Sequence, residues 1–184
     1  YSAIETPLWA GLLANRARLD GYDAKIIDCE AENIDSQSAA KKIGALSPKL
    51  AVIVVYGQQP SASTQNMEGA SVLCDMLHEH YPNIKTLLVG LHPSAVSRKT
   101  MQMEKANFVC QGEGPKTISG LLEIDMDDKD QLKTVPGLWY RAEELIKCNT
   151  PAPIITQENL HTELPGVAWD MLPMEKYRTS NWHA

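Results

Sequence analysis

No stretch of this 184-residue chain approaches the 18 or more apolar residues that a membrane-spanning helix requires, so no membrane partner is expected. Positive charge is also in short supply. Seventeen lysines and arginines stand against 23 aspartates and glutamates, a net charge of −6, which leaves no basic excess to neutralise a run of phosphates. Nucleic acid is therefore not expected as a main partner. The four cysteines, Cys29, Cys74, Cys110 and Cys148, form neither CxxC nor CxxxCxxC. Dispersed in this way they read as reduced, small buried hydrophobes, which argues against a zinc or iron–sulfur site within these residues. No basic segment followed by an apolar core opens the chain at Tyr1, so no secretory signal is read there and a cytoplasmic protein is the expectation.

What is present is ordinary in bulk and informative in order. Hydrophobic residues make up 43% and charged residues 22%, the balance of a soluble globular protein, and the length suits one domain with an appendage. Residues 7–20 read as a helix, with Pro7 at a favoured first position and Leu8, Trp9, Leu12, Leu13, Arg16 and Leu19 at helical spacing before Gly21. Residues 23–28 look like a short strand, and Asp35 and Ser36 offer caps for a helix running to about Leu46. Residues 50–56 carry the strongest strand signal, rich in β-branched side chains and closed by Gly57. A polar loop over 58–64, a helix to about Tyr81, a strand over 85–90, a weaker helix over 95–103, a strand at Phe108 and a helix from Thr117 follow. Strands alternating with helices imply a parallel sheet wound by right-handed crossovers. The expected fold class is therefore α/β, a Rossmann-like or flavodoxin-like doubly wound layer.

Domains of this class open with a strand, whereas this chain opens with a helix, so loss of the first strand by truncation is expected. The layer is assigned to residues 1–124. Residues 125–184 read as an appendage: an acidic linker over 125–130 at the solvated surface, a hairpin of 135–141 and 145–149 around Ala142-Glu143-Glu144, and a proline-punctuated extended linker from Thr150.

Ligands of open α/β sheets bind outside the carboxyl ends of the strands. That places candidate binding residues in three groups: Tyr56, Gly57, Ser61 and Ser63; then Gly90, Leu91 and His92; then Gly112, Glu113 and Gly114. Each has a plain structural reading beside the functional one. The glycines let a cofactor approach the backbone, or simply turn the chain. The serines grip a cofactor tail, or cap the next helix. His92 faces a cofactor, or fixes the turn before Pro93. Glu113 accepts hydrogen bonds from a ligand, or caps the helix opening at Pro115. His78 and His80, two apart, do not share a helical face. Trp9, Trp139 and Trp169 read as packing residues rather than a stacking platform. Asp20, Asp23 and Asp28 make no acid–base pair, so no catalytic residue and no metal ligand is assigned.

In order and spacing, Pro7-Leu8-Trp9-Ala10-Gly11-Leu12-Leu13-Ala14, Gly21-Tyr22-Asp23-Ala24-Lys25-Ile26-Ile27-Asp28, Val89-Gly90-Leu91-His92-Pro93-Ser94 and Gly112-Glu113-Gly114 resemble the cobalamin (vitamin B12)-binding domain at the front of radical S-adenosylmethionine enzymes. Val135-Pro136-Gly137-Leu138-Trp139-Tyr140-Arg141 and Leu164-Pro165-Gly166-Val167-Ala168-Trp169-Asp170-Met171-Leu172-Pro173 resemble the connector that leads into the radical barrel. The resemblance implies a Rossmann-like layer holding cobalamin at its carboxyl edge. It also implies a partner barrel that binds a 4Fe-4S cluster through CxxxCxxC and cleaves S-adenosylmethionine. This chain carries no such motif, so the expectation is a binding module, not catalytic alone, of a methyltransferase- or cyclase-like parent. Three departures stand out. Leu91 replaces the second glycine of a loop that often reads Gly-Gly-Pro-His-Pro, which also loses the proline before His92. Pro115 stands where the second loop often has Glu. The DxHxxG pattern that supplies histidine to cobalt is missing. A cobalamin-free scaffold of the same ancestry is the first alternative. A flavodoxin-like flavin or nucleotide binder is the second, and it lacks a phosphate-cradling loop here.

Overall fold

The computed structural model describes residues 3–57 and 60–178. Its centre is a five-stranded sheet in the order β1-β2-β3-β4-β5. β1 (Leu50–Val55), β2 (Lys85–Gly90) and β3 (Phe108–Cys110) are parallel, and β4 (Leu138–Ala142) and β5 (Leu145–Cys148) continue antiparallel. β1 and β2 pair along their whole length, from Leu50 opposite Lys85 to Val55 opposite Gly90. The continuous apolar run of β2 is explained by its place. Leu87 and Val89 point into one core with Leu13, Phe108, Ile118 and Leu121, while Leu88 points into the other with Met67, Cys74, Leu77 and Val109. A strand buried on both faces cannot alternate apolar with polar.

Helices cover both faces. α1 (Leu8–Leu19) and α7 (Pro115–Glu123) lie against the first core. The second core is covered by α3 (Ser36–Leu46), α4 (Pro60–His80) and α6 (Ser97–Met103). The doubly wound, Rossmann-like class is thus what the chain adopts, with β1 the first strand among the described residues. Asp20, at the end of α1, ties the first face together. It accepts hydrogen bonds from the Arg16 guanidinium and, at 2.5 Å, from the Ser119 hydroxyl of α7. Burial pushes its carboxyl up, but these donors outweigh that and hold it below the usual carboxylate range. Among the described residues no helix is long and apolar enough to cross a membrane.

Four expectations need correction. Of the four cysteines read as buried, Cys29 and Cys148 are exposed, and only Cys74 and Cys110 lie in the cores. Residues 23–28 are not a strand: they run without ladder partners up to the short helix α2 (Cys29–Glu32). A strand exists only through its neighbour, and β1 pairs with β2 alone. Residues 60–64 are not loop, because α4 begins at Pro60. Pro60 has the fixed φ that suits a first helical residue. Nor does the polar stretch 125–130 lie wholly at the surface, since Met126 is buried in the first core.

The expected hairpin is present. Glu143 and Glu144 both have positive φ, +52° and +65°, the pattern of a two-residue turn whose twist suits adjoining strands. It extends the main sheet, because β4 pairs with β3 through Phe108–Tyr140, Val109–Trp139 and Cys110–Leu138. From Thr150 the chain turns back over α1 as an irregular strap. The Ala168 N–H donates to Gly11 O at 3.1 Å, Asn15 Nδ2 donates to Gly166 O at 2.9 Å, and Arg18 pairs with Asp170 at 2.7 Å. The strap ends in an antiparallel bridge between Ile4 and Arg178. Beside it, the Tyr177 hydroxyl donates to Asp28 at 2.8 Å. Burial and that bond push the phenol's pKa upward.

Candidate functional site

Parallel pairing brings the ends of β1, β2 and β3 to one edge, and the three segments that leave them are bound together by hydroxyls. Ser63, fully buried in the first turns of α4, donates to the carbonyl of Val55 and accepts the His92 N–H at 3.0 Å. Thr64 Oγ1 lies 2.9 Å from His92 Nδ1. Ser94 accepts the Gly112 N–H at 2.9 Å. One chain of contacts therefore runs from the end of β1 through α5 (Leu91–Ala95) to the end of β3. Such links fix the relative height of three loops that a ligand would have to touch together.

The sequence-derived candidates separate by what each already touches. Ser63 is engaged within the protein on both sides, so its hydroxyl builds the site from behind. Ser61 is exposed on the first turn of α4. Tyr56 is half-buried, its carbonyl accepts from Asn66 Nδ2 at 3.0 Å, and burial raises its phenol to about 12. Gly57 packs so closely on Ala62 that no side chain fits there without movement. Leu91 opens α5 and is 39% exposed, so it stands at the surface of the edge. Gly90 is demanded by the sheet, whereas Gly112 is exposed and a Cβ added to it would meet nothing within 4 Å. Gly114 is buried and precedes Pro115, the first residue of α7, so the proline is placed where its missing N–H is harmless. Glu113 does not cap that helix. Its Oε2 accepts the Ile155 N–H of the strap at 3.4 Å.

Several contacts of this edge escaped the sequence reading. Trp9, near the start of α1, stacks on Tyr56 with ring centroids 4.8 Å apart and an interplanar angle of 14°. Its partner lies 47 positions away, and no local pattern announces such a pair. Trp139 donates from Nε1 to Gln111 Oε1 at 2.9 Å, while Trp169 is about half exposed on the strap. Thr64 and Ser94 stand inside segments already singled out, but only the fold shows which hydroxyl meets which loop. At the end of β3, Cys110 is buried. That burial raises its thiol to about 11 despite a contact with the Thr117 hydroxyl at 3.3 Å, so it is not a thiolate nucleophile.

Among the described residues no group of three or more His, Cys, Asp and Glu side chains could hold a metal ion. Cobalamin does not require one, because its cobalt is already chelated by the corrin ring. What it requires of a protein is room beside exposed backbone, hydrogen-bonding groups for its amides, and apolar contact. Gly112, His92, the Trp9–Tyr56 pair and Leu91 supply these types of contact along one edge, and the residues present fit the group.

Comparison with known proteins bears on the family and the fold. A family model described as the B12 binding domain matches residues 2–122. An uncharacterized methyltransferase of Pyrococcus horikoshii is 28% identical over 173 residues, 94% of this chain and 35% of that protein. The anaerobic magnesium-protoporphyrin IX monomethyl ester cyclase of Synechocystis sp. is 24% identical over 161 residues, 85% of this chain and 30% of that protein. The chain thus spans about a third of the length of these curated relatives. The fold recurs in two structures of the cobalamin-dependent S-adenosylmethionine radical enzyme OxsB. The one with aqua-cobalamin bound has a TM-score of 0.68 at 18% identity, covering 93% of this chain and 23% of that one. The other, with aqua-cobalamin and S-adenosylmethionine bound, has a TM-score of 0.66 at 19% identity, covering 92% and 22%.

Proposed function

The chain belongs to the B12 binding domain family, and from that premise we propose that it is the cobalamin-holding module of a radical S-adenosylmethionine enzyme, with the cofactor seated on the carboxyl edge of β1, β2 and β3. The observation that carries this reading is the hydroxyl-linked edge, with the exposed Gly112 backbone beside it. In this reading Gly112, His92 and Leu91 face the cofactor, with Tyr56, Gly57, Ser61, Gly90, Glu113 and Gly114 forming the surrounding loops. Ser63 acts from behind by holding the amide of His92. Cobalamin, when bound, supplies cobalt chemistry that no side chain offers. The residues of this chain bind it, orient it and keep its face toward a partner.

That partner is a radical barrel, which holds S-adenosylmethionine and the 4Fe-4S cluster. No CxxxCxxC occurs in this sequence. The printed names of the two curated relatives, a methyltransferase and a cyclase, point to a parent enzyme of one of these two kinds. The end of the family match at residue 122 supports the proposed division near residue 124, although β4 and β5 lie beyond it and continue the same sheet. Free cysteines, two of them buried, suit a reducing compartment, and we assign the protein to the cytoplasm on that ground.

The test is a visible-absorption titration of the chain with hydroxocobalamin, with light scattering to establish that the protein is monodisperse. A saturable spectral change at about one cofactor per chain is expected for a single site. No change with a monodisperse protein would overturn the proposal.

A further inference from the structure

Thr64 stands exposed in the first turns of α4, with its hydroxyl between two partners. It donates to the carbonyl of Pro60 at 3.2 Å and lies 2.9 Å from Nδ1 of His92. A threonine hydroxyl has one hydrogen and two lone pairs, and a neutral imidazole has one N–H and one acceptor nitrogen. For the neutral ring only one assignment satisfies both contacts. The Thr64 hydrogen goes to Pro60 O, its lone pair accepts from His92, and the proton of the ring therefore sits on Nδ1. Which imidazole nitrogen carries the proton is set by the bond that the other element imposes. Nε2 is then left as an acceptor, and no hydrogen bond to it is present among the described residues. The His92 amide is held by Ser63 and the next residue, Pro93, is buried, which fixes the backbone from which the ring projects.

We propose that Thr64 is a positioning residue that holds neutral His92 in its Nδ1–H tautomer, so that Nε2 accepts a hydrogen bond from an amide side chain of cobalamin. The acetamide and propionamide arms of the corrin are N–H donors, and an acceptor nitrogen at the edge is the complementary group. An imidazole with the proton on Nε2 would offer a donor and could meet only the carbonyl end of such an arm. This inference rests on the cobalamin reading above.

Two measurements on the same protein test it. The first is nitrogen-15 NMR of the histidine rings in the ligand-free chain under alkaline conditions, where imidazole is neutral. His92, assigned by its loss in H92Q, is expected to show the Nδ1–H pattern. T64V should shift it toward a tautomer mixture, and T64S should restore it. An Nε2–H pattern in the unaltered chain, or no change in T64V, would overturn the proposal. The second is the hydroxocobalamin titration. T64V is expected to weaken binding about five- to tenfold, the worth of one hydrogen bond, with T64S close to the unaltered chain. Light scattering and circular dichroism check that each variant is folded, and T64A, which also lacks the hydroxyl, carries the comparison should T64V not fold.

Binding by the unaltered chain with no difference in T64V would overturn this proposal and leave the cobalamin reading standing. Absence of binding by the unaltered chain would overturn both. A large displacement of the His92 Nε2 resonance on loading, as for an imidazole bound to cobalt, would overturn the assignment to an amide arm.

Discussion

At Gly90 an added Cβ would run into the backbone carbonyl of Val55 on the paired strand, and the residue's φ of +153° is one that side-chain-bearing residues rarely adopt. Gly112 shares the second constraint, with φ +118°, but has open space where the side chain would go. The two substitutions should therefore part company. Gly90→Ala is expected to lower the unfolding free energy by about 3 kcal/mol or more, because a rigid backbone contact adds to the strain. Gly112→Ala should lose about 1–2 kcal/mol from φ alone, remain folded, and weaken hydroxocobalamin binding. Urea denaturation followed by circular dichroism separates them, and equal losses would show that the clash with Val55 is relieved by movement. The sequence displays both glycines at strand ends and cannot tell them apart, since the difference lies in whether a neighbouring strand passes beside the Cα. The same limit hid the roles of the hydroxyls. Ser63 was legible as a candidate, but its two partners belong to β1 and α5, and Trp9 meets Tyr56 only because α1 and β1 reach the same edge.

Among the elements, α1 is interlocked with the strap. Gly11 accepts the Ala168 N–H through its carbonyl, and a Cβ at Gly11 would strike Val167 Cγ1. In an isolated helix Gly→Ala gains about 1 kcal/mol. Here Gly11→Ala should instead destabilise the docking of the strap, read as faster proteolysis between Thr150 and Arg178. Val167→Ala added to it should restore protection, a coupling expected only for residues in contact. Protection unchanged in Gly11→Ala would mean that the strap is held elsewhere. Helices and buried strands were well marked by apolar spacing, and α4 could have been started correctly by giving Pro60 the same weight as Pro7. Residues 23–28 misled for a physical reason. Their composition suits a strand, but strand formation depends on a neighbour, and sequence composition carries no record of whether one is there. The strap left little periodic signal because it packs by single residues, among them Ala168 and Leu172, rather than by a continuous face.

For the molecule as a whole, alternation of strands and helices was enough to give the doubly wound class and the edge on which three loops converge. What alternation could not give was the join between the hairpin and the sheet. The matched family region ends at residue 122, yet β3 is paired on its outer side by β4, residues 138–142. A chain cut after residue 124 should therefore expose a buried, wholly apolar strand edge, Phe108–Cys110. It should form oligomers in light scattering where the chain to residue 184 does not; a monodisperse shortened chain would show that this edge needs no cover. The same geometry has a bearing on how the protein is made. During synthesis the three parallel strands leave the ribosome before the segment that seals them, and translation proceeds at about 5–20 residues per second. For an interval of seconds the nascent sheet carries an unsealed, adhesive side, and the hairpin, whose local turn closes in about 1–10 microseconds, ends that exposure almost as soon as it emerges.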